Sequence, residues 1–277
     1  MKTNIAVFME VFNEEARIEN CCEFFKWADE LVIVDKSSTD RTVELARNYT
    51  DKVYVVPYTD TTKYSQDIIL NNNLDCEWYF FITASSAIEP KLVRELIKLT
   101  SSKTFTFDVI SIPLKIYVLG LATLHSPWGA KFRNACIRKS ALKLSNEVHK
   151  EVGYRGDNVC KQLLGIDSYL LHFTHGNIDT LFERHIRYTR QESIAAAGGR
   201  QITLSSEFNA LIKAFFYVTI KKRVFMMGWD GVALGLAYLS YFMMKFLYSW
   251  EQLRGLDLGV YREEILKIRE TWDEDGR

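Results

Sequence analysis

The first hundred residues alternate short apolar runs with amphipathic segments, and this alternation constrains the fold more than any other feature. Four runs, at 5–12, 31–34, 53–56 and 78–82, have the length of buried strands. Apolar residues recur at helical spacing after the first run, at 18, 21, 22 and 25. Ser37 to Asp40 offers N-caps for a second helix, 65–74 predicts a third, and Pro90 begins a fourth. The pattern predicts an α/β fold whose parallel sheet is covered on both faces.

The remainder of the chain is interpreted as the second half of one domain followed by a helical tail. A long apolar run at 109–119 precedes short strands around Cys136 and Val148 and at 169–171. Helical spacing covers 181–197, 208–222 and 232–250, and a last helix carries Tyr261 to Trp272. We therefore expect a domain at 1–176, with halves 1–100 and 101–176, and a tail at 177–277.

Charge is balanced overall but unevenly distributed. The 277 residues include 35 basic and 35 acidic side chains, which excludes a uniformly basic nucleic-acid-binding surface. Residues 115–161 carry nine basic and three acidic side chains, and residues 182–223 carry eight and three. These blocks favour a ligand with phosphates or a membrane surface, although solvated helix faces have the same composition.

Cysteine usage and the amino terminus both indicate the cytosol. The five cysteines form no CxxC pair and no cluster with zinc spacing, so reduced thiols are expected. The apolar stretch at the amino terminus is interrupted by Glu10 and is not typical of a signal peptide.

Polar residues follow three of the predicted strands, where ligands bind in open α/β sheets. Asn13 and Glu14 follow the first strand, Asp35 the second, and 83–86 the fourth. The chain contains no GxGxxG, GxxxxGK[ST] or GxSxG motif. Asp35 taken alone is equally compatible with a loop cap.

The segments Phe12-Asn13-Glu14-Glu15 and VDKSSTDRT (34–42) together resemble the inverting family 2 glycosyltransferases of the GT-A fold. The resemblance continues through 28–31, 78–82, 147–149, 171–172 and 184–189. Bacterial lipopolysaccharide-core and capsule sugar transferases are similar, and they share the segment at 228–231. The resemblance implies a parallel-dominated mixed sheet sandwiched by helices.

The resemblance also implies roles for the strand-end residues. The carboxylate that matches Asp35 hydrogen-bonds the nucleotide base, and the loop with Val11, Asn13 and Glu14 surrounds that base. A carboxylate accepts hydrogen bonds well from the N–H groups of a base edge.

Two departures from the family pattern concern the metal and the general base. The Asp-x-Asp position holds Thr83-Ala84-Ser85, whose hydroxyls are weak ligands for a hard dication, so we expect no Mg²⁺ or Mn²⁺ there. Val148-His149-Lys150 replaces Val-His-Glu, which leaves Glu147, His149 and Glu151 as alternative bases. Without a metal, cations must balance the diphosphate. The candidates, beside the hydroxyls of Thr83 and Ser85, are Lys131, Arg133, Arg138 and Lys150.

The helix at 232–250 is predicted to be buried or to lie in a membrane interface. No charge occurs from Gly231 to Met244, which is 14 residues and short of the roughly 20 that cross a bilayer. Lys221, Lys222 and Arg223 precede it, and Trp and Tyr residues follow. We expect 221–250 to contact a membrane surface, with core packing or a homo-oligomer interface as the alternatives.

These observations predict a cytoplasmic enzyme, peripheral on the inner face of the membrane. It would transfer a sugar with inversion from a nucleotide-diphosphate sugar to a lipid-linked or cell-envelope glycan. The alternative is a catalytically silent homologue that binds or scaffolds. A nucleotidyltransferase is less favoured, because no Gly/Arg/Lys-rich loop follows the first strand.

Overall fold

The computed structural model describes residues 2–59, 63–72, 74–123, 125–129, 131–143, 153–160, 162–197, 203–256 and 259–275. The strands are β1 (Ile5–Val11), β2 (Glu30–Asp35), β3 (Val53–Val55), β4 (Trp78–Thr83), β5 (Ser86–Ile88), β6 (Val109–Val118), β7 (Lys131–Arg138), β8 (Leu142–Lys143), β9 (Gly153–Tyr154), β10 (Val159–Cys160) and β11 (Leu170–Thr174). The helices are α1 (Ile18–Phe25), α2 (Thr42–Ala46), α3 (Lys63–Asn71), α4 (Pro90–Thr100), α5 (Ile178–Ala197), α6 (Leu204–Phe216), α7 (Gly228–Arg254) and α8 (Arg262–Asp275).

Nine of the described strands form one mixed sheet. Its order is β3-β2-β1-β4-β7-β6-β11-β5, with β10 pairing with β6. The first four strands are parallel, β7 is antiparallel to both of its neighbours, and β6 and β11 are parallel to each other. This is the predicted parallel-dominated sheet of the GT-A type with a C-terminal helical segment, so the predicted fold class is confirmed.

Alternation along the strands divides the core between the two faces of the sheet. Ile5, Val7 and Met9 of β1 pack with α1 and α4, whose buried residues recur at helical spacing. Ala6 and Phe8 point to the opposite face and pack with Ile68 and Ile69 of α3. Each central strand is therefore apolar on both sides, which explains its continuous apolar run.

Strand register brings the predicted strand-end residues to one edge. Val11 lies opposite Asp35, and Asp35 lies opposite Val55. On the other side of β1, Glu10 lies opposite Thr83. The carboxyl ends of β1, β2 and β4 thus meet, as required for a ligand site of this sheet class.

Several elements differ from the sequence prediction. The strand predicted around Cys136 has eight residues, and β5, β8, β9 and β10 were not predicted. The strand predicted near Val148 lies outside the described residues. Helix α7 has 27 residues and extends beyond both ends of the predicted helix at 232–250. The charged residues Asp230 and Lys245 lie within it and do not end it.

The prediction that this helix is too short to cross a membrane was therefore wrong on length. Within the described part of the chain one helical segment, Val224–Arg254, is long and apolar enough to cross, judged by length and composition alone.

The chain divides into two compact units. One comprises Met1–Ala122 and Trp128–Thr174, and the other comprises Thr123–Pro127 and His175–Arg277. The division after Thr174 falls two residues before the predicted boundary.

Candidate functional site

The loops that follow β1 and β2 are hydrogen-bonded to each other. The Asn13 N–H donates to Ser38 Oγ at 2.8 Å, and the Thr39 N–H donates to Asn13 Oδ1 at 2.8 Å. Asn13 and Ser37 have φ values of 52° and 62°, a left-handed conformation that non-glycine residues rarely adopt. The paired loops hold both residues in this conformation and fix the edge of the sheet.

A second set of bonds continues this contact toward α2. The Glu14 N–H donates to Thr42 Oγ1 at 2.7 Å, and the Glu15 N–H donates to Asp40 Oδ2 at 3.1 Å. Burial raises the pKa of Asp40, but hydrogen bonds from Thr42 and Glu15 outweigh burial and leave the pKa below its ordinary value. The Glu14 carboxylate itself accepts from Arg17 Nε at 2.7 Å. The backbone of Glu14 is thus positioned, while its side chain pairs locally.

Asp35 lies at the center of this edge, at the end of β2. Its side chain is buried, and the Ser38 N–H donates to Asp35 Oδ1 at 2.8 Å. The Ser38 hydroxyl donates to the other carboxylate oxygen. A carboxylate has about four lone-pair sites. These two bonds occupy part of that capacity, and the carboxylate is fully buried beneath the Ser38 loop; the neighboring Val11 carbonyl accepts from the Lys36 N–H at 2.9 Å.

An aromatic pair at the same end of β1 was missed by the sequence analysis. Phe12 and Tyr58 meet edge to face with ring centroids 4.8 Å apart. The rings are 36% and 47% exposed, which leaves them open to a ligand. The sequence signal is an aromatic residue directly before Asn13, at the end of the predicted strand 5–12.

Glu10 and Lys36 form a second missed pair at this edge. Lys36 Nζ lies 2.9 Å from Glu10 Oε2, and both side chains are partly exposed. The Ser65 hydroxyl donates to the same carboxylate. Glu10 shares the face of the sheet with Thr83, because the two residues are in register. A partly exposed lysine is therefore present near the strand ends.

The segment that replaces Asp-x-Asp forms a hydroxyl and imidazole network. Thr83 Oγ1 lies 3.0 Å from Ser85 Oγ, which lies 3.2 Å from His172 Nδ1. Ser86 Oγ is 3.3 Å from Thr83 Oγ1. These hydroxyl and imidazole groups hydrogen-bond to one another and lack the charged oxygens that a hard dication prefers. No described group of three or more His, Cys, Asp or Glu side chains has a metal-binding arrangement.

The predicted cations fall at different places. Strand β7 runs antiparallel to β4, so Lys131 and Arg133 at its beginning lie toward the edge where β4 ends. Arg133 is partly buried, and the Lys131 side chain lies outside the described part. Arg138 is opposite Trp78 at the start of β4, where it pairs with Glu77 and Asp108. The structure therefore does not bring Arg138 to the predicted diphosphate.

The predicted acceptor-side residues Glu147, His149, Lys150 and Glu151 lie outside the described residues. Their roles stay predictions.

A cavity of about 850 Å³ adjoins β8 and β9, and Lys139, Lys143 and Arg155 line it. Part of the basic middle block is thus gathered at this cavity, a grouping that sequence spacing does not reveal.

Paired loops at the carboxyl edge of an open, mainly parallel sheet define a class of α/β proteins that bind ligands at that edge. The model of the family described as Glycosyl transferase family 2 matches residues 6–157. That match covers more than half of the chain, and the chain belongs to this family.

Curated relatives are similar along nearly the whole length. An uncharacterized glycosyltransferase of Rickettsia typhi is 24% identical over 98% of this chain and 91% of its own. An uncharacterized glycosyltransferase of Rickettsia felis is 23% identical over 96% and 92%.

Solved structures show weaker similarity. Residues 1–349 of S. aureus TarS align over 93% of each chain with 12% identity and a TM-score of 0.44. Glucosyl-3-phosphoglycerate synthase of Mycobacterium tuberculosis, in complex with Mg²⁺ and uridine-diphosphate, is 18% identical with a TM-score of 0.35. That alignment covers 50% of this chain and spans 57% of the synthase.

Proposed function

We propose that this family 2 glycosyltransferase transfers a sugar with inversion from a nucleotide-diphosphate sugar to a lipid-linked or cell-envelope glycan, without a bound metal. The observation that carries the proposal is the fixed edge at which Asp35 lies between the paired loops. Family membership supplies the reaction class. The proposed location is the cytoplasmic face of the membrane, where such an acceptor is reached.

The nucleotide base is the part of the donor that this edge suits best. The remaining lone pairs of Asp35 accept hydrogen bonds from ring or amino N–H groups of the base. The exposed face of Phe12 or Tyr58 offers an aromatic surface for stacking. Asn13 and Ser38 act as positioning residues, because they hold the two loops together.

The diphosphate then needs hydrogen-bond donors and positive charge. Among the predicted residues, Arg133 and Lys131 belong to the strand segment that begins at this edge, and Lys36, which pairs with Glu10, adds a cation near the ends of β1 and β2. The hydroxyls of Thr83 and Ser85 can donate to phosphate oxygens if they exchange partners. Lys150 remains a proposal from the sequence.

In an inverting transfer, an acceptor hydroxyl oxygen attacks the anomeric carbon as the bond to the diphosphate oxygen breaks. The hydroxyl proton passes to a base, for which Glu147, His149 and Glu151 are the proposed alternatives. The negative charge that develops on the leaving diphosphate is stabilized by the cations named above.

A second candidate function is a catalytically silent glycosyltransferase-like protein that binds or scaffolds. The observation in its favor is that Ser85 is buried and bonded to His172 at the position of a family carboxylate. Such a protein would retain nucleotide binding and lack turnover.

The experiment is a release assay for nucleoside diphosphate, using a panel of nucleotide sugars with and without EDTA and with a membrane-lipid extract as acceptor. Turnover that EDTA does not change supports the proposal. Turnover that EDTA abolishes contradicts metal independence, and nucleotide binding without turnover supports the silent homologue.

Two variants sharpen the assay. Arg133→Gln is expected to lower turnover at least about tenfold, because a charged hydrogen bond contributes roughly 1.5–3 kcal/mol. Lys98→Gln, on an exposed part of α4, is the matched control and should leave turnover unchanged.

A further inference from the structure

The connection between α6 and α7 exposes an unusual set of large apolar side chains. Trp229 is 87% exposed, Ile220 65% and Phe225 61%. Phe215, Phe216 and Met226 are also exposed. Contiguous apolar surface of this kind marks an interaction site. We call Phe208–Trp229 the apolar hairpin.

The apolar surface continues along one side of α7. Trp229, Val232, Leu236, Met243, Leu247 and Trp250 are all exposed. They are spaced by three, four or seven residues, which places them on one helix face. Gly231, Leu234, Gly235 and Ser249 are buried on the opposite side of α7, and Ala237 and Ser240, which border the exposed stripe, are buried as well. The helix therefore has a packed side and a stripe of exposed apolar side chains.

The charge of the apolar hairpin has a single sign. Residues 208–229 contain four basic residues and no acidic one. Lys213, Lys221 and Arg223 are exposed, and Lys221 Nζ lies 5.7 Å from the ring center of Tyr217. Aromatic rings beside cations suit a surface that presents anionic headgroups above hydrocarbon.

We propose that the apolar hairpin and the exposed face of α7 dock onto an anionic lipid bilayer. The four cations contact headgroup phosphates, and the aromatic and aliphatic side chains enter the boundary with the acyl chains. This surface belongs to the helical unit alone, so the proposal does not depend on the sugar-transfer proposal.

The contacts of α7 with α5 favor docking over crossing. Lys245 Nζ pairs with Glu192 at 2.9 Å, and Ser240 and Ser249 approach His185 and Ser193 at 3.2 and 3.4 Å. Helix α5 also carries exposed charges at Glu183, Arg187 and Arg190. Full insertion of α7 would take these charges into hydrocarbon, at a cost of several kcal/mol. Only the exposed face can enter the membrane while the helices stay packed.

The same charge argues against a second copy of the chain as the occupant. A two-fold interface would place the hairpin cations of one copy against the same patch of the other. Like charges at such a contact repel, whereas anionic lipids are attracted.

The experiment is flotation of the full-length protein with vesicles of phosphatidylcholine alone or with 30% phosphatidylglycerol. The protein should bind the anionic vesicles. Lys221→Gln with Lys222→Gln should weaken that binding roughly 25-fold, since each basic residue near the surface contributes about 1 kcal/mol. Phe225→Ser with Trp229→Ser should weaken it roughly a hundredfold. These side chains are exposed or partly exposed, and circular dichroism checks that each variant is folded.

Trp272→Ser is the matched control, because Trp272 is 77% exposed on α8, outside the apolar hairpin. Its binding should equal that of the wild type. Equal loss in the Trp272 and hairpin variants, or no vesicle binding with a dimer in solution, would overturn the proposal. Retention of bound protein through alkaline carbonate extraction would also overturn it, because that result indicates a membrane-spanning helix.

Discussion

Ser38 is the residue through which the two strand-end loops and Asp35 are connected. Its backbone N–H and its hydroxyl both donate to Asp35, and its hydroxyl oxygen accepts from the Asn13 N–H. Asp35 and Asn13 could be predicted from the sequence, because carboxylates and amides at strand ends are typical ligand-binding groups. Ser38, Phe12 and Lys36 could not, since their roles depend on which loop lies opposite, and the one-dimensional pattern contains no such information.

Ser38→Ala should lower the free energy of unfolding by about 1–3 kcal/mol and weaken nucleotide binding. The reason is that the substitution leaves the Asn13 N–H and one Asp35 oxygen without a partner. Denaturant unfolding and nucleotide titration measure the two effects. Ser37→Ala is the control, because the Ser37 hydroxyl bonds only to the Val56 carbonyl, at 2.7 Å, among the bonds described for it. An equal loss of nucleotide affinity in both variants would contradict the assigned role of Ser38.

At the scale of elements, the long periodic segments were predictable and the short paired ones were not. The apolar runs of β1, β2 and β4 and the helical spacing of α1 and α4 correspond closely to the observed bounds. Strands of two or three residues, such as β5 and β10, have too few positions for a periodic pattern and depend on pairing with distant β11 and β6. The position of Arg138 also depends on long-range pairing. The antiparallel direction of β7 places this residue at the start of β4, away from the predicted site.

The beginning of α7 depends on a close backbone approach at Gly231. A Cβ at this position would lie 1.7 Å from the Val224 carbonyl oxygen, which is a backbone atom and cannot move freely. Gly231→Ala should therefore destabilize the helical unit by about 2 kcal/mol or more. Gly235→Ala is the matched control, because its Cβ would meet the Val224 side chain, with the Cγ2 methyl nearest at 3.1 Å, and helix propensity favors alanine. Thermal unfolding followed by circular dichroism should rank Gly231→Ala well below Gly235→Ala, and the reverse order would contradict this packing.

Helix α5 contributes a pH dependence through His185. Burial lowers the pKa of His185 from 6.5 to about 4, and its ring faces Ser240, His175, Phe182 and Tyr241. Between about pH 4 and 6.5, His185 therefore binds fewer protons in the folded protein than in the unfolded chain. Stability should be greatest above pH 6.5 and should fall by about 3 kcal/mol as the pH decreases toward 4.

Denaturant unfolding at several pH values measures this slope. His185→Gln can keep the bond to Ser240 and should flatten the slope. A slope that His185→Gln leaves unchanged would show that other groups cause the loss of stability at low pH.

At the scale of the whole molecule, the family and the mixed sheet could be predicted from two short segments, 12–15 and 34–42. They were sufficient because β1 and β2 are adjacent and parallel, so sequence order already places their ends together. The acceptor side could not be predicted in this way. Lys131, Arg133 and Arg138 lie on β7, whose antiparallel pairing with β4 and β6 spans a long sequence distance, and Glu147, His149, Lys150 and Glu151 lie outside the described residues.

The most direct measurement is calorimetric titration of the full-length protein with UDP, GDP, ADP and CDP in the presence of EDTA, for wild type, Asp35→Asn and Asp40→Asn. Asp40 accepts hydrogen bonds in the neighboring loop much as Asp35 does and has no proposed contact with the nucleotide. We predict that one of these nucleotides binds the wild type and Asp40→Asn with similar affinity and binds Asp35→Asn at least about tenfold more weakly. Absence of binding by all four nucleotides, or equal affinity of Asp35→Asn and the wild type, would contradict a nucleotide-sugar site at this edge of the sheet.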